Sequence, residues 1–358
     1  MITPRSVTTV VSGAVFVLGV GAMLFSPAPY AIESPGPTID TLGDYRDVRL
    51  ITIEGAPTYP TESEQSQLRL TTVVANGGPG FPVSPAGVLQ GWVSGSSRVL
   101  PREAVYPTGK TREEVTEEGQ AQMRRSQEDA AVVALTELGY DVPAVLTVTG
   151  TTPDSGAAGI AEDGDVLSRI GAPGLPTVEI ATYADLADAL AATDPGTAVT
   201  LTVERDGTPV DLTIVTGGDG RGGSTLGVYL DPEFDLPVEV TVDVEDVGGP
   251  SAGTMFTLGI IDRLTPGDLT GGHVVAGTGT ISLNGQVGPI GGIAQKMAGS
   301  QRDGAEFFLA PEANCSEVVG NVPDGLHVVK VSTAGEALAA VRAIAAGDGA
   351  TLPGCGSS

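Results

Sequence analysis

The stretch Gly248-Gly249-Pro250-Ser251-Ala252-Gly253 decides the fold of this chain, and an apolar run from Thr254 to Leu264 follows it directly. Two glycines and a proline predict a tight turn. Met255, Leu258 and Ile261 then recur at helical spacing, which predicts a buried helix after the turn. A serine hydroxyl at this position lies beside backbone N–H groups that can hold an oxyanion. The alternative interpretation is that the serine is only the N-cap of the helix.

A second glycine-rich stretch follows downstream. The β-branched segment from Val274 to Ile281 leads to a turn at Asn284-Gly285, and Val287-Gly288-Pro289-Ile290-Gly291-Gly292 then precedes Lys296. The neighbours of this lysine are mostly apolar, so we expect its amine to meet an apolar wall. A desolvated lysine can lose its proton, whereas an arginine cannot. The alternative is a surface lysine that buries only its stem.

These two motifs together resemble the proteolytic domain of Lon-type serine proteases. The resemblance rests on Gly-Pro-Ser-Ala-Gly at 249–253, a Thr-Gly strand around Thr278, and Pro-Ile-Gly-Gly-Ile at 289–293 with Lys296 after it. The order of the other segments resembles membrane-anchored, ATPase-free bacterial relatives that carry a PDZ domain. The resemblance implies a multidomain α+β protein whose last domain has the ribosomal protein S5 domain 2-like fold.

The resemblance also implies roles for individual residues. Ser251 matches the nucleophile of the family and Lys296 matches its general base. Thr278 matches the threonine that lies beside the lysine and helps to orient it. The backbone N–H groups of Gly249 and Ser251 would stabilise the oxyanion.

Two positions depart from the ATP-dependent members of the family. Those relatives have an aspartate where Gly248 stands and a glutamate where Thr280 stands. The departures put in doubt any gating that these acids provide, but they leave the pair of Ser251 and Lys296 in place.

A histidine is the more usual base for a serine nucleophile. This chain has two, His273 and His327, and each lies at the start of a predicted strand. No aspartate is evidently placed to orient either one. We therefore expect a Ser-Lys dyad, which requires only a lysine kept neutral by burial, instead of a Ser-His-Asp triad.

Composition limits the partners. The chain has 358 residues and a formal net charge of −26, so it would repel the phosphates of a nucleic acid. Gly109-Lys110-Thr111 suggests a nucleotide-binding loop, but position 104 is alanine where that motif requires glycine. We expect no nucleic acid, no nucleotide, no metal and no other cofactor.

The N-terminus suggests a membrane anchor. Val7 to Phe25 is a run without charge, Arg5 precedes it, and acidic residues follow it. Such a run is long enough to span a bilayer, and the charge asymmetry would place the N-terminus in the cytoplasm and the body outside. The alternative is a cleaved signal peptide, although Pro29-Tyr30-Ala31 is a poor cleavage site.

A PDZ-like domain is predicted in the middle of the chain. An acidic helix is predicted from Arg112 to Arg125, and Ser126 is predicted to cap a second helix that ends near Leu138. A hairpin is expected about Asp206-Gly207. PDZ domains bind an extended peptide or a C-terminal carboxylate by adding a strand to a sheet. Leu138, Gly139 and Tyr140 are predicted to form the peptide-binding loop.

The two cysteines, Cys315 and Cys355, lie late in the chain. Outside the cytoplasm they can pair, and we expect a disulfide that ties the C-terminal tail to the last domain. Two free thiols are the alternative.

The predicted function is that of an ATP-independent serine endopeptidase that cleaves proteins at the cell envelope, anchored in the cell membrane and with its catalytic domain outside the cytoplasm. Protein or peptide substrates and a homo-oligomer are the expected partners. The alternative is an inert, membrane-anchored PDZ scaffold or a chaperone. The predicted segments are a cytoplasmic tip and transmembrane helix (1–30), a β-rich region (31–125), a PDZ-like domain (126–217), a linker (218–229), a Lon-type domain (230–346) and a tail (347–358).

Overall fold

A computed structural model of the chain describes residues 4–61, 63, 65–218, 220, 223–244 and 246–356, with the backbone alone for residues 4–10 and 22–25. Its helices are α1 (Pro4–Phe25), α2 (Pro85–Val93), α3 (Arg102–Val105), α4 (Arg112–Glu137), α5 (Tyr183–Ala191), α6 (Gly253–Leu264), α7 (Ile293–Arg302), α8 (Cys315–Val318) and α9 (Ala334–Ala345). Its strands are β1 (Tyr30–Asp40), β2 (Asp44–Tyr45), β3 (Val48–Arg49), β4 (Ile51–Glu54), β5 (Gln67–Asn76), β6 (Arg98–Pro101), β7 (Ala144–Thr151), β8 (Val166–Gly171), β9 (Val178–Glu179), β10 (Ala198–Arg205), β11 (Thr208–Val215), β12 (Gly217–Gly218), β13 (Ser224–Thr225), β14 (Val228–Phe234), β15 (Glu239–Val242), β16 (Val274–Gly277), β17 (Thr280–Ile281), β18 (Val287–Gly288), β19 (Phe307–Pro311) and β20 (His327–Val331).

The larger sheet carries the candidate site and has the strand order β20-β19-β16-β5-β1-β6. Strands β20, β19, β16 and β5 run parallel to one another. Strand β1 is antiparallel to both of its neighbours, β5 and β6. The parallel strands are short apolar runs because both faces of the sheet are covered by helices.

Successive residues of these strands contact opposite layers, as the two-residue repeat of a strand requires. On one face, Val275 and Leu309 belong to a core shared with α4, α6 and α9. On the other face, Ala276 and Phe308 pack with residues of α7 and α8. The sheet therefore lies between α6, which follows Ser251, and α7, which carries Lys296.

The sheet includes strands from the β-rich region predicted at 31–125. Strand β5 pairs in parallel with β16, with Leu70 opposite Gly277. Strand β4 pairs with β15, which lies just before the glycine-rich turn. Residues far upstream of Val238 are thus structural parts of the layer that holds the candidate site.

Helix α4 starts at Arg112, as predicted for the acidic helix, but it continues through Ser126 to Glu137, so the prediction of a second helix capped by Ser126 was wrong. Thr111 caps α4 through a reciprocal pair of hydrogen bonds with Glu114, which is a strong helix-start signal. Ser126 therefore lies inside the helix, on the buried face that packs against α6.

A second sheet, with the order β11-β10-β8-β7-β14, forms the middle of the chain together with α5 and has its own core. The predicted hairpin about Asp206-Gly207 is confirmed, since Arg205 pairs with Thr208 and both turn residues have positive φ. The predicted linker at 218–229 instead contains strand β13 and the start of β14; its residues 219, 221 and 222 lie outside the described residues.

The prediction of a transmembrane helix was wrong. Within the described residues, the structure has no helix with the length and apolar character needed to cross a membrane. The single-pass location, with the N-terminus in the cytoplasm and the catalytic domain outside, is overturned with it. The side chain of Arg5, on which the predicted orientation depended, lies outside the described residues.

A disulfide joins Cys315 to Cys355 across 40 residues of sequence. It fixes the C-terminal tail beside β20, where the Lys330 N–H donates to the Pro353 carbonyl at 2.9 Å. The tail thereby covers one edge of the larger sheet.

The double variant Cys315→Ser/Cys355→Ser is expected to lower the free energy of unfolding by about 3–4 kcal/mol. Without the bond, the unfolded chain is no longer closed into a loop and gains conformational entropy. Urea denaturation of the oxidised wild-type protein and of the double variant measures the difference. Equal midpoints at equal slopes would contradict a stabilising role for the bond.

Candidate active site

The glycine-rich turn brings Ser251 to the start of α6 without making it the N-cap. We call residues 248–251 the nucleophile loop. Gly249 has a φ of +89°, a conformation that favours glycine. The N-cap of α6 is Ala252, and no side chain caps the helix. The N-cap interpretation of Ser251 is therefore excluded, and its hydroxyl is available for other contacts.

The hydroxyl of Ser251 lies against Lys296. The distance from Oγ of Ser251 to Nζ of Lys296 is 2.8 Å, although the two residues are 45 positions apart. The lysine lies on the first turns of α7 and is 3% exposed. The alternative of a surface lysine is thus excluded.

The amine of Lys296 has two further polar neighbours. Its Nζ lies 2.9 Å from Oγ1 of Thr278 and 3.2 Å from the carbonyl oxygen of Thr71. Two N–H groups of a neutral amine can donate to these two oxygens, and its lone pair can then accept the proton of the Ser251 hydroxyl. The arrangement suits a base poised to take that proton.

Burial brings the pKa of this amine close to neutral pH. Desolvation lowers the pKa of Lys296 from 10.5 to about 7, because a charged ammonium loses its water shell in the interior. An amine with a pKa near neutral pH is well suited to general-base catalysis.

Thr278 connects the lysine to the nucleophile. Its side chain is fully buried, and its hydroxyl donates to the Ser251 carbonyl at 3.0 Å while its oxygen faces Nζ of Lys296. The Gly279 N–H donates to the same carbonyl at 2.9 Å. The backbone of Ser251 is therefore held by the two residues between β16 and β17, one of which also orients the amine.

One of the two N–H groups predicted to stabilise the oxyanion already donates a hydrogen bond to another residue. The Gly249 N–H donates to the Gly119 carbonyl at 2.9 Å, so in this conformation it does not face the site. The Ser251 N–H bonds to none of the residues that the structure describes. It is therefore the one of the two predicted donors that remains available for an oxyanion.

The Ser251–Lys296 pair opens onto a cleft of about 790 Å³. Its lining includes Arg69 to Val74 of β5, Gly248 and Ser251 of the nucleophile loop, and Met123 of α4. Val73 and Val74 of β5 line this cleft together with Ser251 and Lys296.

The predicted peptide-binding loop is a helix end instead. The N–H groups of Leu138, Gly139 and Tyr140 all donate to carbonyls of the last turn of α4, and Gly139 has a φ of +81°. This is how a helix terminates at a glycine. Because these donors are used within the helix, the loop cannot bind a carboxylate, and that prediction was wrong.

The two histidines lie elsewhere on the larger sheet. His273 and His327 both pack edge-on against Phe307. Nδ1 of His273 lies 2.9 Å from a Glu306 carboxylate oxygen. Neither ring is among the partners of Ser251 in the described structure. Nor do the described residues contain a group of three or more His, Cys, Asp or Glu side chains placed to hold a metal ion.

Comparison with known proteins identifies the segment around this pair. The family described as Lon protease (S16) C-terminal proteolytic domain matches residues 235–343. Residues 235–343 are a Lon-type proteolytic domain. The match contains Ser251, Thr278 and Lys296, but not β1, β5 or α4, which complete the sheet and the cleft around the Lon-type domain.

The curated relatives agree over the same segment. The Lon protease of Brucella abortus biovar 1 (strain 9-941) is 36% identical over 107 residues, covering 29% of this chain and 13% of the relative. The Lon protease of Rhizobium meliloti (strain 1021) is 34% identical over 108 residues, with the same two coverages. The chain therefore spans 13% of the length of these relatives.

Two solved structures are among those to which the chain is similar. The PDZ domain of the SdrC-like protein from Listeria monocytogenes is 19% identical, with a TM-score of 0.21, and the likeness covers 24% of this chain and 85% of that one. The PDZ domain of the SdrC-like protein from Listeria innocua gives 20% identity and the same TM-score, with coverage of 24% and 92%.

Sequence reasoning missed three contributors to the site. The Thr71 carbonyl, the Gly119 carbonyl and the Ser126 hydroxyl all come from residues before the Lon-type domain. Two of them act through the backbone, which carries no residue-type signal. The helix that carries Gly119 was predicted to start at Arg112, but no pattern in the sequence placed it against the glycine-rich turn.

Proposed function

We propose that the chain is an ATP-independent serine endopeptidase that cleaves polypeptides through an acyl-enzyme on Ser251, with Lys296 as general base. The observation that supports this most is the 2.8 Å separation between a serine hydroxyl and a buried amine in a Lon-type domain. Burial gives the amine a pKa near 7, so a neutral base is available at physiological pH.

In the acylation step, Oγ of Ser251 attacks the scissile carbonyl carbon while the hydroxyl proton passes to Nζ of Lys296. The carbonyl oxygen becomes an oxyanion, and the Ser251 N–H donates to it. The lysine ammonium then gives its proton to the leaving amine nitrogen as the C–N bond breaks. This leaves an ester between the acyl group and Ser251.

In the deacylation step, a water molecule gives a proton to the neutral Lys296 amine and attacks the ester carbonyl. The second tetrahedral species collapses when the C–O bond to Ser251 breaks. The proton returns from Lys296 to Oγ of Ser251, which regenerates the enzyme and releases the carboxylic acid product.

The edge of β5 supports a polypeptide substrate. The Thr71 carbonyl points to Lys296, on the side of β5 where β16 ends. Backbone groups two residues apart in a strand point to the same edge, so Val73 directs its N–H and carbonyl along the cleft. On the other side Val73 faces Pro35 of β1, which has no N–H to donate. A substrate strand can pair with Val73 as it passes Ser251.

The middle sheet would restrain or present the substrate, as a PDZ-like module. Its strand β14 lies at the end of the strand order and pairs only with β7 among the described strands. An unpaired edge of this kind can accept an added strand. We place polypeptide binding on this edge instead of at residues 138–140.

A fluorophosphonate probe and an unfolded protein substrate test the proposed function. The wild-type protein is expected to cleave the substrate and to gain the mass of the probe on Ser251, and Ser251→Ala is expected to do neither. An inert scaffold or a chaperone would show no cleavage, and its binding of unfolded protein would not respond to Ser251→Ala. Cleavage that persists in Ser251→Ala would overturn the proposal.

A further inference from the structure

Helix α4 holds the nucleophile loop at two backbone positions. The Gly249 N–H donates to the Gly119 carbonyl at 2.9 Å, and the Ser126 hydroxyl donates to the Pro250 carbonyl at 3.1 Å. Gly119 and Ser126 are separated by two helical turns, so they lie on the same face of α4. The helix therefore fixes the two residues that immediately precede Ser251.

The contact between helix and loop is close. A Cβ atom on Gly248 would lie 3.4 Å from backbone atoms of Gly119, and one on Gly253 would lie 2.9 Å from Oγ of Ser126. Ser126 is 3% exposed. The loop thus rests directly on the helix, with little room for either to move independently.

The bond from Ser126 has a consequence for the next peptide group. In a trans peptide the carbonyl and the N–H point in opposite directions within one plane. The Pro250 carbonyl and the Ser251 N–H belong to the same peptide, so holding the oxygen against α4 turns the N–H away from α4. Pro250 has no N–H of its own, and that of Gly249 is already occupied.

We propose that Ser126 is a positioning residue for the oxyanion donor: by holding the Pro250 carbonyl, its hydroxyl keeps the Ser251 N–H directed at the carbonyl under attack. The inference rests on the proposed peptidase function. Ser126 touches neither the substrate nor Lys296, and it acts only through the orientation of one peptide plane.

The expected fall in kcat in Ser126→Ala follows from the loss of a correctly oriented hydrogen bond to the oxyanion. Removal of one oxyanion donor typically lowers kcat by about 10²–10³-fold. In Ser126→Ala the Ser251 N–H is still present but is no longer held, so we expect kcat to fall by about 10–100-fold. The KM is expected to stay nearly the same, because the hydrogen bond to the oxyanion strengthens only as charge develops on the oxygen.

The experiment compares two ligands as well as two rates. A peptide aldehyde forms a tetrahedral adduct with the serine and uses the oxyanion donor, whereas the matching peptide alcohol does not. In Ser126→Ala, affinity for the aldehyde is expected to fall by about the same factor as kcat, and affinity for the alcohol to change by less than about twofold. The pH midpoint of kcat/KM is expected to stay at the wild-type value, because Lys296 is untouched.

Two further variants guard against a general loss of structure. Ser168 lies in the middle sheet, where its hydroxyl donates to the Thr202 backbone carbonyl at 3.0 Å. Ser168→Ala removes a comparable hydrogen bond away from the site, and it is expected to leave kcat and aldehyde affinity unchanged. Ser126→Cys keeps a small side chain with a weak donor, and it is expected to fall between Ser126→Ala and the wild type.

The outcomes separate this inference from the function on which it rests. If the wild-type protein cleaves its substrate and Ser126→Ala has wild-type kcat and aldehyde affinity, the positioning role is overturned while the peptidase stands. It is also overturned if aldehyde and alcohol affinities fall equally, since this would indicate a distorted cleft. A wild-type protein that neither cleaves nor reacts at Ser251 overturns both proposals.

Discussion

Lys296→Met is expected to lower kcat for polypeptide cleavage by at least about 10⁴-fold, a loss comparable to removing one member of a catalytic triad. Methionine fills a similar volume but cannot accept the proton of the Ser251 hydroxyl. Steady-state cleavage of a fluorogenic peptide measures the effect, and labelling of Ser251 by a fluorophosphonate is expected to be lost in parallel.

Lys296→Arg is the matched control for charge. Arginine can donate to Thr278 and to the Thr71 carbonyl, but it does not deprotonate in proteins, so we expect activity as low as that of Lys296→Met. Activity in Lys296→Arg within about tenfold of the wild type would contradict a role as general base and favour a purely electrostatic one.

The folded state should tolerate the methionine. Burial disfavours the charged amine, so at neutral pH the native protein holds Lys296 at a cost that methionine does not incur. The free energy of unfolding of Lys296→Met is therefore expected to equal or exceed that of the wild type. A large loss of stability would mean that the missing activity reports unfolding instead of chemistry.

The second large effect is on the pH dependence of cleavage. Because the neutral amine is the active form and the pKa of Lys296 is about 7, kcat/KM is expected to fall about tenfold per pH unit below pH 7 and to level off above pH 8. The rate at pH 5 should thus be about 50-fold below that at pH 7 and about 100-fold below the high-pH plateau. Rates measured between pH 5 and pH 9.5 with an uncharged peptide check this.

The sign of the accompanying stability change is fixed by the same group. The unfolded chain has a lysine pKa near 10.5 and the folded chain one near 7, so between these values the unfolded state binds more protons. The contribution of Lys296 to stability therefore rises with pH across this window.

A pH profile of kcat/KM with its midpoint near pH 10 would contradict the rate prediction, because it would show that burial does not lower the pKa of Lys296 in solution.

The amino-acid sequence predicted the chemical groups of the site better than their surroundings. Ser251, Thr278 and Lys296 lie in short glycine-rich motifs, where residue type carries the information. The pairing of β5 with β16 joins Thr71 to Gly277 across 206 positions, and no local pattern indicates such a contact. Hence residues 31–125 had no predicted role, although β1, β5 and Met123 of α4 line the cleft.

The wrong predictions also have identifiable physical causes. Leu-Gly-Tyr at 138–140 has the composition of a PDZ carboxylate loop, but a glycine after a long helix is equally typical of a helix end. Ser126 was taken for a helix start because serine is a strong N-cap. Here the acidic helix predicted from Arg112 continues through Ser126 without a break, which leaves the Ser126 hydroxyl to donate to the Pro250 carbonyl.

The central claim is that Lys296 carries a near-neutral amine in the folded protein, and its titration can be observed directly. The chain has three lysines, Lys110, Lys296 and Lys330, so protein labelled with ¹³C at the lysine ε-carbon gives three signals, and Lys296→Met assigns one of them. We predict a midpoint near pH 7 for that signal. A midpoint near 10.5, the ordinary value for a solvated lysine, would contradict the account.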